Sequence, residues 1–208
     1  MTDPIQQAHG TRSSVLFIAA ALASPLLLIT PALAHHFADL SKLQPSVLNG
    51  VLSGLAHPLL GPDHLLFLLA LSLVGLQRRL GWALGLLLVG LVGGAAGLIW
   101  PGLPGAEGLV AGTLVVEALV LLRRLPAALL LPAMALHGYV LSGPVFGWTT
   151  MPLAAYATGL MLSQGSLLLV ALVLLRPLAS HLAPAKLRWF ALGLAGCGAA
   201  WAFSAVAL

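Results

Sequence analysis

The chain of 208 residues is 60% hydrophobic and only 7% charged, with a mean hydropathy of +1.06. So few solvating side chains exclude a water-soluble globular domain, and the length accommodates six helices of about 20 residues, each able to cross a hydrocarbon core of roughly 30 Å. The formal net charge of +4 does not point to nucleic acid, because the nine Lys and Arg stand in ones and twos between apolar runs and read as topology determinants.

At the N-terminus Arg12 precedes an apolar run from Val15 to Ile29, after which Thr30-Pro31-Ala32-Leu33-Ala34 leads into a polar stretch. This is the pattern of a secretory signal peptide over residues 1–34, ending in an A-x-A site with cleavage after Ala34. The mature chain, 35–208, then begins His35-His36. There an α-amine beside two imidazoles is a candidate for capturing a metal on the outer face; an incidental pair in a tail is the alternative.

Six apolar segments follow, at about 47–75, 82–99, 107–122, 126–143, 150–175 and 187–207. The expected fold is all-α, a polytopic membrane helix bundle of about six transmembrane helices in one domain. Arg78 and Arg79, Arg123 and Arg124, and Arg176, Lys186 and Arg188 fall in alternate connections, hence on one side. The opposite connections carry no Lys or Arg, and the mature N-terminal stretch has only Lys42. The positive-inside rule puts the basic side in the cytoplasm and both mature termini outside, at a bacterial inner membrane. Gly90, Gly93, Gly94 and Gly97 give two overlapping G-x-x-x-G pairs, and Gly193 with Cys197, the single cysteine, repeats the spacing. Both are helix-contact signals.

Ionisable side chains inside a bilayer cost on the order of 3 kcal/mol each, so each one requires a reason. The first span contains His57-Pro58-Leu59-Leu60-Gly61-Pro62-Asp63-His64. On an unbroken helix His57 and His64 would stand about 10 Å apart along the axis, too far to bind one ion at about 2 Å. Pro58 and Pro62 each remove a backbone donor and Gly61 loosens the chain between them, so a broken or kinked helix follows. Non-helical backbone at membrane depth is a place where transporters put their sites. The two imidazoles, Asp63 and released carbonyls are expected to converge there on a cation, and imidazole alone leaves the metal open. A proline kink whose polar groups satisfy one another is the structural alternative.

His137-Gly138 in the fourth span supplies a further candidate ligand. Glu107 opens the third span, either as a ligand or as a carboxylate complementing the helix N-terminus. Glu117 lies deeper, with Arg124 seven residues on and on the same face, so snorkelling toward the basic pair accounts for it. Ser163 and Gln164 either line a pathway or bond between helices, and bonding is the expectation.

The stretch Ser53-Gly54-Leu55-Ala56-His57-Pro58-Leu59-Leu60-Gly61-Pro62-Asp63-His64 resembles the H-P-x-x-G-x-D-H signature of the HupE/UreJ family, membrane proteins associated with hydrogenase and urease clusters and regarded as nickel or cobalt permeases. Pro104-Gly105-Ala106-Glu107 is similar to that family's P-x-x-E segment, and His137-Gly138 to its H-G segment. The resemblance implies metal-site roles for His57, Asp63 and His64, and for Glu107 and His137. The family's further His late in the fifth span, near Leu168, has no counterpart in Gln164-Gly165-Ser166-Leu167-Leu168.

The expected function is therefore a secondary permease importing a divalent transition metal, nickel or cobalt. The ion is cargo rather than a permanently bound cofactor; the partners are the lipid bilayer and a hydrogenase or urease maturation system. No Walker motif is present, and the membrane potential itself favours cation import by about 2.3 kcal/mol per charge per 100 mV. A metal-binding accessory protein without net transport is the second reading, and a cytochrome with His57 and His137 as haem ligands a third. With neither H-E-x-x-H nor G-x-S-x-G, an intramembrane protease is not expected, nor any other enzyme.

Overall fold

Where the sequence places Pro58, Gly61 and Pro62, the backbone turns by 70° between two helices, α1 (Val47–Leu60) and α2 (Pro62–Val74), in the computed structural model. The structure describes residues 44–74 and 80–207. The signal peptide, His35, His36, Lys42, Arg78 and Arg79 therefore lie outside the described residues.

Ser46 opens α1, its hydroxyl accepting from Asn49 N–H at 3.1 Å, as an N-cap side chain does. Pro58 remains within α1, and the bend belongs to Gly61 and Pro62. Gly61 N–H still bonds to His57 O at 3.0 Å, whereas Pro62, at the first position of α2, has no N–H to carry the ladder across.

After α2 come α3 (Leu80–Ile99), α4 (Ala106–Leu121), a short 3₁₀ turn (Ala127–Leu129) leading into α5 (Leu130–Leu141), and a second such turn (Gly143–Val145). The chain continues with α6 (Thr150–Val170), a π-helical turn (Ala171–Leu175), a short α7 (Arg176–Ser180) and α8 (Pro184–Ala207). No strand occurs among the described residues.

Among the described residues four unbroken stretches are long and apolar enough to cross a membrane: Gly81–Ile99, Ala127–Val145, Thr150–Leu175 and Pro184–Ala207. The bent pair α1–α2 makes a fifth. Of the other helices, α4 has 16 residues, about 24 Å at 1.5 Å per residue, shorter than any of the four unbroken spans. Its burial shows where it belongs, because Val110, Ala111, Leu114 and Ala118 are almost wholly enclosed by neighbouring helices.

Three helix pairs dominate the packing: α1 with α6, α3 with α5, and α4 with α8; α2 joins them by touching both α4 and α6. Glycine sets these contacts. Gly93 abuts the Ala135 carbonyl and Gly97 the Tyr139 carbonyl, while Gly138 lies against the Gly90 carbonyl, so the G-x-x-x-G face of α3 is the one that meets α5. In α8 the expected pair, Gly193 and Cys197, makes the contact only in part, through Cys197, which packs against the core. Gly193 has open space around it, and Gly198 instead faces the Ala111 carbonyl, because the helix presents the neighbouring residue to α4.

The bundle keeps polar side chains inside, among a larger number of buried apolar ones, and turns large apolar side chains outward. Its buried polar residues are Ser53, His57, Asp63, His64, Ser72, Thr113, Glu117, His137, Ser142, Ser163 and Gln164, whereas Leu88, Val92, Trp189 and Phe203 are among the most exposed. That arrangement is what lipid as solvent requires, and the two most exposed tryptophans, Trp100 and Trp189, stand at helix ends, where indole rings anchor interfaces.

Candidate functional site

The bend carries three of the expected residues into the middle of the bundle. His57 in the last turn of α1 and Asp63 and His64 in the first turn of α2 are each no more than 2% exposed, as is His137 on α5. The imidazoles form a row: ring centroids lie 6.1 Å apart from His57 to His64 and 4.8 Å apart from His64 to His137. Phe67, one turn after His64, stacks on His137 at 4.3 Å with 23° between planes and fixes that ring from the other side.

The hydrogen bonds assign the protons. Thr113 on α4 donates its hydroxyl to Val110 O at 2.6 Å, so its oxygen accepts from His137 Nε2–H at 2.8 Å. A neutral His137 then carries its lone pair on Nδ1, toward which His64 Nδ1–H is directed at 2.5 Å. In the same way Tyr156 on α6 donates to Leu141 O and accepts from His57 Nδ1–H at 3.3 Å. His57 and His64 are therefore both the tautomer with its lone pair on Nε2. A neutral imidazole held by its other nitrogen is the form that ligates first-row transition metals.

Asp63 is turned differently. Its Oδ1 accepts from His64 N–H at 2.9 Å, placing a carboxylate at the positive end of α2, while Oδ2 is buried without a hydrogen-bond partner among the described residues. Asp63 thus serves its own helix first, and His57 is drawn toward Tyr156. For these reasons the expected convergence is incomplete: among the described residues no three His, Cys, Asp or Glu side chains are gathered in a geometry that holds an ion.

The space enclosed by His64, Phe67, Met134, His137, Leu141 and Gln164 does not admit a water molecule. Two nitrogens bound tetrahedrally to one ion at about 2.0–2.1 Å stand about 3.3 Å apart. For the His64 and His137 Nδ1 atoms, at 2.5 Å, to share a metal they must part by about 0.8 Å and the His64 proton must move from Nδ1 to Nε2. The arrangement is closed around a hydrogen bond that an ion would replace.

Glu107 stands in the first turn of α4. It is half-buried at the start of α4 and lines a cavity of about 340 Å³ with Gly97, Pro101, Leu103, Tyr139 and Phe146, at the end of the bundle where the 100–105 connection turns. Tyr139 closes that end by donating to Trp100 O at 2.6 Å and accepting from Leu103 N–H at 2.9 Å.

Two other sequence expectations are corrected. Glu117 does not snorkel to Arg124: it is fully buried and neither oxygen has a hydrogen-bond partner among the described residues, because α4 ends at Leu121 and the chain turns away at Arg123, whose φ is +57°. Ser163 does not bond between helices; its buried hydroxyl also lacks a partner. Gln164 does reach the interior, beside His64 and His137. The sequence reading overlooked Tyr156; a hydroxyl-bearing aromatic within an apolar span was the signal available.

Bend, apolar exterior and imidazole row together define an all-α membrane bundle built around a buried polar centre. The family model described as HupE / UreJ protein matches residues 21–201, nearly the whole chain, and the protein belongs to that family. Members are associated with nickel or cobalt transport or with accessory roles. None of the curated proteins and none of the solved structures matches the chain.

Proposed function

We propose that this protein is a secondary permease that carries a divalent transition metal, nickel or cobalt, inward through the polar centre at the α1–α2 bend. The observation that carries the reading is the row His57, His64 and His137, three buried imidazoles in line at a 70° break in a membrane helix. Each costs free energy in an apolar bundle, and the row aligns nitrogen ligands of borderline softness suited to such ions. Asp63 adds a carboxylate oxygen at the same depth.

The proposed orientation places Arg123, Arg124, Arg176, Lys186 and Arg188 in the cytoplasm of a bacterium, the protein lying in its inner membrane. The membrane potential then favours entry of the cation. His57 receives the ion, which passes to the His64–His137 pair as those rings separate. The cavity beside Glu107, at the end away from the basic residues, is the aqueous approach.

The experiment is radioactive nickel flux into proteoliposomes holding the purified protein, with a negative-inside potential. Accumulation by wild type and none by His64→Ala is the expected result. Binding by wild type without accumulation would establish the accessory reading instead, in which the protein holds nickel for a hydrogenase or urease maturation system.

A further inference from the structure

Glu117 stands outside the groups used so far. It is fully buried on α4, and neither carboxyl oxygen has a hydrogen-bond partner among the described residues. The helices packed on α4, namely α2, α5 and α8, contribute Leu68, Leu71, Met134 and Leu194 to an apolar cluster that includes Leu114 and Ala118 of α4 itself. The ionisable groups on these elements are Asp63 and His64 of α2, His137 and Tyr139 of α5, and Lys186, Arg188 and Cys197 of α8. Glu107 is on α4, with Arg123 and Arg124 just beyond its end. None of them hydrogen-bonds to Glu117.

An ionised carboxylate in such surroundings is strongly unfavourable unless a cation compensates it. Among the described residues no side chain hydrogen-bonds to it to do so, which leaves a bound proton or a bound metal ion. Position selects between a buried structural acid and a working one. Glu117 follows Thr113, the residue that holds His137, by four positions, so it shares the same helix face about 6 Å along the axis. His57, His64, His137 and Glu117 therefore succeed one another from the bend toward the Arg123–Arg124 end.

We infer that Glu117 is a second cation station beyond the histidines, holding a proton when no metal is there and exchanging it when the metal arrives. The inference rests on the permease reading. In the exchange the carboxyl O–H bond breaks, the proton passes to water, and the carboxylate oxygen donates a lone pair to the divalent ion; nothing is oxidised or reduced. Carboxylate oxygen accepts nickel and cobalt, and binding more weakly than imidazole suits the site from which the ion departs.

Wild type, Glu117→Gln and Glu117→Asp are titrated with nickel chloride in weakly buffered detergent solution containing a pH dye, and nickel flux is measured in proteoliposomes. At nickel concentrations high enough to fill the weaker second station, wild type and Glu117→Asp are expected to release about one proton more per protein than Glu117→Gln. The Gln variant still binds nickel but carries it at least about tenfold more slowly. Equal proton release by wild type and Glu117→Gln overturns the inference, whatever the flux. A second readout survives failure of the Gln variant to insert: nickel removes the infrared C=O band of a protonated carboxyl in wild type, a band that is shifted in Glu117→Asp. Persistence of that band overturns the inference. Wild type that neither binds nor carries nickel sinks the permease reading itself, a distinguishable result.

Discussion

His64 on α2 and His137 on α5 meet nitrogen to nitrogen, their Nδ1 atoms 2.5 Å apart across 73 residues of sequence. Two rings that share one hydrogen bond, and would share one ion, act as a unit, so their removal is not additive. His64→Ala and His137→Ala are each expected to abolish tight nickel binding, and the double variant to lose no more than either single one. Nickel titration calorimetry on the four proteins should give a coupling of about 1–3 kcal/mol. Additive losses would show that the rings serve separate sites.

Tyr156 orients His57 while tying α6 to α5, because its hydroxyl accepts from His57 Nδ1–H and donates to Leu141 O. Tyr156→Phe leaves a buried imidazole N–H and a buried carbonyl without that oxygen, which costs about 1–3 kcal/mol of stability. Nickel affinity should fall by about 10–100-fold, as it does when the partner of a ligating histidine is lost. Thermal unfolding in detergent separates the two effects; unchanged affinity in a destabilised variant would confine the hydroxyl to holding helices together.

Gly61 tests the break itself. Its φ of −79° suits any residue, so alanine there introduces no backbone strain. A Cβ at this position would, however, lie 2.6 Å from His64 Cδ2, and the ring must turn to avoid it. Gly61→Ala is expected to insert and unfold like wild type yet bind nickel at least about tenfold more weakly. Full binding would show that the His64 ring position is immaterial.

The bend was legible in sequence because its cause is local: Gly61 and Pro62 withhold the donor and the stiffness that a continuous helix needs. The packing face of α3 was legible for a similar reason, since glycines four apart can only mark one stripe of a helix. What escaped is non-local. His57 points to Tyr156, 99 residues away, and His137 to Thr113, 24 residues away on a different helix, and no spacing rule encodes such pairs. The fate of Glu117 was misjudged because a seven-residue spacing to Arg124 holds only while the helix continues, and α4 stops at Leu121. Gly193 failed as a contact, while Cys197 and Gly198 meet the core, because a period reveals a stripe without saying which of several small residues meets the partner.

Close helix approach makes one further prediction, free of any assumption about cargo. Gly138 of α5 lies directly against the Gly90 carbonyl of α3, and Gly93 against the Ala135 carbonyl, whereas Gly85 of α3 has no neighbour within 4 Å of where a Cβ would stand. Gly138→Val must push two helices apart along the whole α3–α5 contact, and overpacking of this kind costs about 1–3 kcal/mol or more. Gly85→Ala meets no obstacle and gains helix propensity of up to about 1 kcal/mol. Thermal unfolding of the three proteins in one detergent should therefore rank Gly85→Ala at or above wild type and Gly138→Val well below it. If Gly138→Val unfolds with wild type, α3 and α5 do not meet through these glycines, and the alignment of His137 with His64, which depends on where α5 sits, would lose its structural basis.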